Sequence, residues 1–287
     1  GAGVGAFALA MFHVVTHAFF KGLLFLCSGS VIHAMSGEQD MRKMGGLRKK
    51  LPITFITMLI GALALAGIIP FAGWWSKDAI LANVFARAHE THEALYYSLY
   101  AFGVVGAFCT AFYSFRLIGL TFFGECRAAE DVKHHIHESP PTMTMPLLVL
   151  AFLSVTGGWV LAGALPDFLH YPQPPQDAHA QHVHHLNLVV TTLAAFGGML
   201  LALYIYAGKG KVPNPEKSRH PLVSLSWNKF GVELFYDKIV TAAFTLLAEV
   251  LHLLVDVLLI DTLLVNGTAF ATRTAGGRSG TKRCGCI

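Results

Sequence analysis

Apolar residues run along this chain in blocks separated by short polar or basic stretches. A membrane-crossing helix needs roughly 20 mostly apolar residues. Blocks of that kind are Met11–Ala34, Pro52–Ala88, Ala94–Phe123, Met145–Leu165 and Leu188–Ala207. The second is too long for one straight helix, and "IIPFAGWW" interrupts it at residues 68–75. Pro70 removes a helix donor and Gly73 loosens the backbone beside it. The block therefore predicts two half-helices, Pro52–Ile69 and Trp75–Ala88, that together make one discontinuous span.

From Ser226 the pattern changes. "SWNKFGVELFYDKIVTAAFTLLAEVLHLLVDVLLIDTLLV" is long, apolar and free of proline. Glu249, His252 and Asp256 fall on one arc at about 100° per residue, with leucines and valines around the rest. A sixth span would bury these acidic groups at about 2.5–3.5 kcal/mol each on insertion scales. A helix lying along the cytoplasmic interface keeps them wet, and with few basic residues it suits packing on protein better than on lipid. The last residues, "TRTAGGRSGTKRCGCI", are polar and glycine-rich and read as a disordered end. The predicted fold is an all-α integral membrane protein: five transmembrane elements, one of them discontinuous, plus a C-terminal amphipathic lateral helix. The predicted organisation is a transmembrane domain over 1–225, the lateral helix over 226–270 and a tail over 271–287.

Composition agrees. The chain has 287 residues, 54% hydrophobic and only 13% charged, where soluble domains carry about 25% charged residues. It starts with glycine, so it reads as a fragment whose N-terminal part is missing. Charge also sets an orientation. Arg42, Lys43, Arg48, Lys49 and Lys50 follow the first block, Arg127 and Lys133 the third, and Lys209, Lys211, Lys217 and Arg219 the fifth. The alternate connections, "HETHE" and residues 166–187, contain no Lys or Arg. Basic loops stay cytoplasmic, which puts residue 11 outside and residue 208 inside.

The chemistry sits in two places. In "FHVVTHAFFKGLLFL", His13, His17 and Lys21 recur every four residues, so each turns only about 40° from the last and the three form one polar ridge. A lysine in mid-span must face a polar cavity or a partner, and histidine titrates near neutral pH. The ridge is a candidate proton relay. In "WWSKDAI", Lys77 and Asp78 follow the break, in the first turn of the second half-helix, with Ser76 as its N-cap. Broken helices with ionisable residues recur at ion sites in transporters. Counted from Pro52, Lys77 lies in the outer half of the membrane.

Other features carry less. Arg116 lies near the cytoplasmic end of its helix, where snorkelling accounts for it. "HHIH" at 134–137, with His170, His179, His182, His184 and His185, reads as adventitious metal binding rather than a built site. Cys27 and Cys109 sit in apolar runs as small hydrophobes. Cys126, Cys284 and Cys286 complete no paired framework. "GAGVGA" at residues 1–6 precedes a membrane helix, not a strand-to-helix turn, so it is no dinucleotide fingerprint. No redox or covalent chemistry, no metal and no nucleic-acid partner is expected of this chain itself.

"MFHVVTHAFFKGLLFLCSGSVIH", "GGLRKKLPIT", "PFAGWWSKDAIL", "FYSFRL" and "FGVELFYDKIV" together resemble the antiporter-like membrane subunits of respiratory NADH:quinone oxidoreductase (complex I), of the chain 5 or L type, over residues 1 to about 265. The resemblance implies inverted repeats of five helices, of which this chain matches the second, followed by the start of the long lateral helix. It implies that Lys21 is the central-axis lysine, His13 and His17 the relay histidines, Lys77 the broken-helix lysine near proton exit and Asp78 the acid beside it. The first repeat and the final anchoring helix have no counterpart, so a half-subunit is not expected to pump alone. The resemblance further implies other membrane-arm subunits and the lipid bilayer as partners, and a bacterial inner membrane as location. NAD, flavin, iron–sulfur clusters and quinone would reside in partner subunits, with no cofactor in this chain. A subunit of a multisubunit cation/proton (Na+/H+) antiporter is the alternative, and the stretch from Trp227 to Val265 speaks for the first reading.

Overall fold

A computed structural model describes residues 1–169, 178–208, 212 and 220–280. Among them the fold is all helical. A first compact unit runs from Gly1 to Pro213 and a second from Asn214 onward. The first holds α1 (Phe7–Ala34), α2 (Pro52–Ala66), α3 (Ala72–Thr91), α4 (Ala94–Phe122), the short α5 (Glu130–His135), α6 (Pro141–Phe168) and α7 (Ala178–Tyr206). Sequence blocks and helices overlap, with most ends shifted by a few residues and the start of α7 by ten, because the polar terminus Ala178–Asn187 continues the helix beyond its apolar stretch.

In this unit α1, α4, α6 and α7 are each long and apolar enough to cross a membrane. Large apolar side chains point outward: Phe25 and Phe102 are 75% exposed and Phe152 65%. The interior combines large apolar residues such as Phe20, Leu23, Met58 and Phe115 with small and hydroxyl-bearing ones, among them Thr16, Ser30, Thr54, Ala62, Ser76 and Ala111. An apolar outside around a partly polar inside is the pattern of a bundle dissolved in lipid, where close helix approach and interhelical hydrogen bonds do the joining. The chain is an integral, multi-pass membrane protein.

The discontinuous span is real, but its break lies earlier than proline placement predicts. α2 ends at Ala66 and α3 begins at Ala72, so the gap is 67–71 rather than 70–74. The cause is Gly67. It adopts φ +79, its N–H reaches Ala64 O at 3.1 Å, and the Ile68 N–H reaches Leu63 O at 3.1 Å. That pair of bonds is a Schellman stop, which favours glycine. Gly73 does a different job: a Cβ there would collide with the Ala64 carbonyl oxygen. It lets the first turn of α3 lie directly on the last turn of α2.

The basic end of the unit is ordered. Arg127 donates to Arg42 O at 2.9 Å and Lys50 Nζ to Lys133 O at 2.6 Å, while Gly46 N–H reaches Phe123 O at 3.1 Å. The loops before α2 and after α4 therefore meet at one end of the bundle, as alternating charge requires. Asp40 sits there with its carboxyl held below the usual range by hydrogen bonds from Arg42. At the same end Glu138 reaches across to α2. Its carboxylate accepts from Ile53 N at 2.7 Å, Thr54 N at 3.3 Å and Thr54 Oγ1 at 2.6 Å. The start of α2 is thus capped by a residue from just before α6.

The second unit contains the helix Pro221–Trp227 and, after a kink at Phe230 (φ 56), a helical run to Gly280. Pro221–Trp227 belongs to this unit, so the boundary falls before the change of apolar pattern at 226. Parts of the run, Tyr236–Thr241 and His252–Asn266, are wound as π-helix. Lys229–Gly276 counts 48 residues and contains a stretch long and apolar enough to cross a membrane. His252 Nδ1 and Asp256 Oδ2 pair at 3.1 Å one turn apart. Helix continues beyond residue 270, where composition reads as an unstructured end. His170, Lys209, Lys211, Lys217, Arg219, Cys284 and Cys286 lie outside the described residues, as do the side chains of His179 and His182.

Candidate functional site

The ridge on α1 forms as spaced. The His13 and His17 rings lie 5.8 Å apart between centroids, and His17 meets Phe20 edge-on at 5.3 Å. All three ridge residues are partly buried. Lys21 lines a cavity of about 190 Å³ together with Leu24 and Ser28 of α1, Leu65 of α2, and Tyr113 and Ser114 of α4. The volume would hold several waters, with Lys21 and the Ser28, Tyr113 and Ser114 hydroxyls as the polar groups on a wall completed by apolar Phe25, Ala62 and Leu117.

Lys77 sits differently. Ser76, Lys77 and Asp78 lie in the second turn of α3, not its first, because the helix starts at Ala72. Lys77 Nζ lies 3.5 Å from Leu65 O, a carbonyl left free where α2 stops. Leu65 therefore belongs to both lysine neighbourhoods: its residue lines the Lys21 cavity and its oxygen accepts from Lys77. A second, far smaller cavity of about 10 Å³, the size of a single water, is lined by Trp74, Lys77, Asp78 and Thr191.

Ser76 is not the N-cap of α3; Phe71 holds that position with no side-chain bond. The hydroxyl points to α1 instead. Ser76 Oγ lies 3.0 Å from His13 Nδ1, and Thr16 Oγ1 donates to it at 2.9 Å. Asp78 turns the other way, toward α7. Its Oδ1 accepts from Asn187 Nδ2 at 2.8 Å and from Thr191 Oγ1 at 2.7 Å. The break itself is closed by tryptophan. Trp159 Nε1 donates to Pro70 O at 3.1 Å, and Trp75 packs against Trp159 at 5.7 Å and Trp74 at 4.8 Å. Backbone freed in a membrane helix must find such partners.

The structure thus joins His13 to the α3 turn carrying Lys77, sets Lys21 over its own cavity, and anchors Asp78 to α7. Thr16, Asn187 and Thr191 were missed from sequence. Each left a trace: Thr16 falls on the ridge face with His13 and His17, and Asn187 and Thr191 are polar residues one turn apart in an apolar helix. Arg116 does more than snorkel: its guanidinium lies over the Tyr206 ring at 5.5 Å. Among the described residues no three His, Cys, Asp or Glu side chains converge on a metal-sized site.

Comparison with known proteins places this geometry. Residues 1–110 match the family model described as NADH:quinone oxidoreductase/Mrp antiporter, TM. Residues 113–246 match the model of the NADH dehydrogenase subunit 5 C-terminus. NADH-quinone oxidoreductase subunit L of Rhodobacter capsulatus is 49% identical over 55% of this chain and 23% of its own length. NADH-ubiquinone oxidoreductase chain 5 of Phytophthora infestans is 39% identical over 83% of this chain and 36% of its own. Subunit L of Campylobacter jejuni is 38% identical over 87% and 39%. The chain spans well under half the length of these relatives.

Proposed function

Because this chain belongs to the antiporter-like membrane subunit family of NADH:quinone oxidoreductase, subunit L or chain 5, we propose that it carries protons across the membrane through a buried His/Lys relay. The relay runs over His13, His17, Lys21 and Lys77, with Asp78 beside the last. Electron transfer in partner subunits drives it; NAD, flavin, iron–sulfur clusters and quinone belong to those partners. The complex is the enzyme, set in a bacterial inner membrane beside other membrane-arm subunits, and this chain contributes no redox centre to it.

The observation that carries this reading is the pairing of two lysine sites through Leu65. Lys21 stands over a cavity large enough for water, and Lys77 is wedged on the same residue's carbonyl. The antiporter alternative shares the first family model. The second model, which names subunit 5 and extends to residue 246, favours the oxidoreductase.

Lys21 tests the reading. In the complete subunit within its complex, Lys21→Ala removes a partly buried charge and suits a helix, so the complex assembles while proton uptake is lost. Lys21→Arg also fails, because arginine keeps its proton at any accessible pH. Each charge works against about 2.3 kcal/mol per 100 mV of membrane potential, and a permanent cation cannot release its proton into that field. The measurement is dye-reported proton uptake in vesicles, with assembly read on native gels. Wild-type uptake by Lys21→Arg overturns the relay.

We further propose that the run from Lys229 lies along the membrane arm. Its 48 residues at about 1.5 Å each measure roughly 70 Å, more than twice a hydrocarbon core of about 30 Å. Cysteines placed at Glu249 and Asp256 should both label from the cytoplasmic side with a membrane-impermeant maleimide. Residues seven apart lie only about 10 Å from each other along a helix, so inside a crossing helix both would be shielded; failure of both to label from either side sinks this placement.

A further inference from the structure

The two hydroxyls between α1 and α3 join the helices and also meet an imidazole. Ser76 and Thr16 are both fully buried. Thr16 Oγ1 has three acceptors within reach: Ser76 Oγ at 2.9 Å, Phe12 O at 3.0 Å and His13 O at 3.1 Å. Ser76 Oγ has His13 Nδ1 at 3.0 Å, Thr16, and a long contact to Ala72 O at 3.5 Å. Each hydroxyl carries one proton and can accept as well as donate.

Two complete patterns follow. With Nδ1 bare, Ser76 donates to His13 and Thr16 donates to Ser76. With a proton on Nδ1, His13 donates to Ser76, Ser76 donates to Thr16, and Thr16 turns to Phe12 O. Neither hydroxyl proton, nor a proton on Nδ1, is stranded in either, which matters because an unmet buried donor is costly. A histidine that receives a proton at one ring nitrogen and releases one from the other must change tautomer before it can act again. Its surroundings must accept both tautomers, or the ring is trapped in one.

We propose that Ser76 and Thr16 are positioning residues for a proton-carrying His13: a hydroxyl pair whose direction reverses with the tautomer of the ring. One proton enters the imidazole and one leaves, with no net gain. The hydroxyls swap direction without giving up their own protons. The proposal rests on the relay reading above and adds to it the means of resetting His13. It also ties each reset to the helix turn that bears Lys77, since Ser76 is its neighbour.

The test uses the complete subunit in its complex. Thr16→Val keeps the shape and removes the hydroxyl, leaving Ser76 only the long Ala72 contact when Nδ1 is protonated. Proton uptake should fall about tenfold, as leaving a buried donor unmet in one of the two patterns does, with normal assembly. Its slowing in D2O should grow, because reset becomes limiting. Thr16→Ser restores the hydroxyl and should restore both readouts. Ser76→Ala, which strands no hydroxyl because Thr16 turns to Phe12 O, should fall likewise and serves if Thr16→Val does not assemble. Wild-type uptake and isotope effect in an assembled Thr16→Val or Ser76→Ala complex overturn the proposal. If Lys21→Ala is dead in the same series, the relay reading survives that loss. If Lys21→Ala pumps normally, the relay reading falls and this proposal with it.

Discussion

α1 is tied to each half of the broken span by a chain of buried hydroxyls, and the two chains end on different groups. At the basic end, Ser139, Ser30 and Thr54 link α1 to α2 through contacts of 2.7 Å each, and the chain finishes on the Glu138 carboxylate. At the break, Thr16 and Ser76 link α1 to α3, and the chain finishes on the imidazole of His13. A carboxylate only accepts, so it fixes the direction of every hydroxyl behind it: Ser139 to Ser30, Ser30 to Thr54, Thr54 to Glu138. An imidazole nitrogen donates or accepts, so the second chain can run either way. The same side chains make a static joint in one place and a reversible one in the other. The terminal group decides which.

Glu138→Ala should separate the two most clearly. It removes the acceptor for Ile53 N, Thr54 N and Thr54 Oγ1 together. Losing a helix cap costs about 0.5–2 kcal/mol, and an anion at a helix start about 0.3–1 more. A loss near 2 kcal/mol should lower the thermal midpoint of the solubilised complex. Proton uptake per assembled complex should stay within about twofold of wild type. If uptake collapses while the midpoint holds, the basic-end chain moves protons too and the contrast is wrong.

The contrast also shows what the sequence could and could not supply. The His13, His17, Lys21 ridge was legible because a four-residue interval has a fixed meaning on a helix. The existence of a break was legible from Pro70 and Gly73. Its position was not: the stop is made by Gly67 in the left-handed region, and one glycine among the 28 of this chain carries no such mark. Lys77 and Asp78 were legible as ionisable residues after a break. Their partners were not, because Leu65 O is backbone and Asn187 and Thr191 lie 109 and 113 residues away from Asp78. Ser76 was misread as a cap for the same reason: its partner His13 is 63 residues back along the chain. Local periodicity reports which face a residue takes, and long-range pairing reports what it meets there.

The smallest effect belongs to Ser30→Ala, at the middle of the one-way chain. Thr54 keeps its donation to Glu138 Oε1 at 2.6 Å, so the cap on α2 survives. Ser139 loses Ser30 Oγ and has the Ser30 carbonyl at 3.5 Å as its remaining acceptor. The Ser30-to-Thr54 hydrogen bond is lost, the Ser139 one is weakened and one oxygen-sized space opens, together about 1 kcal/mol. The thermal midpoint should therefore move less than in Glu138→Ala, and neither proton uptake nor its slowing in D2O should change. Ser76→Ala removes a hydroxyl of the same kind from the joint between α1 and the other half of the span, yet it acts on a chain that must reverse. The pair of serine variants thus holds side-chain chemistry constant and varies only the group at the end of the chain. If Ser30→Ala alters the isotope effect as much as Ser76→Ala does, the direction of the hydroxyls is not what distinguishes the two joints.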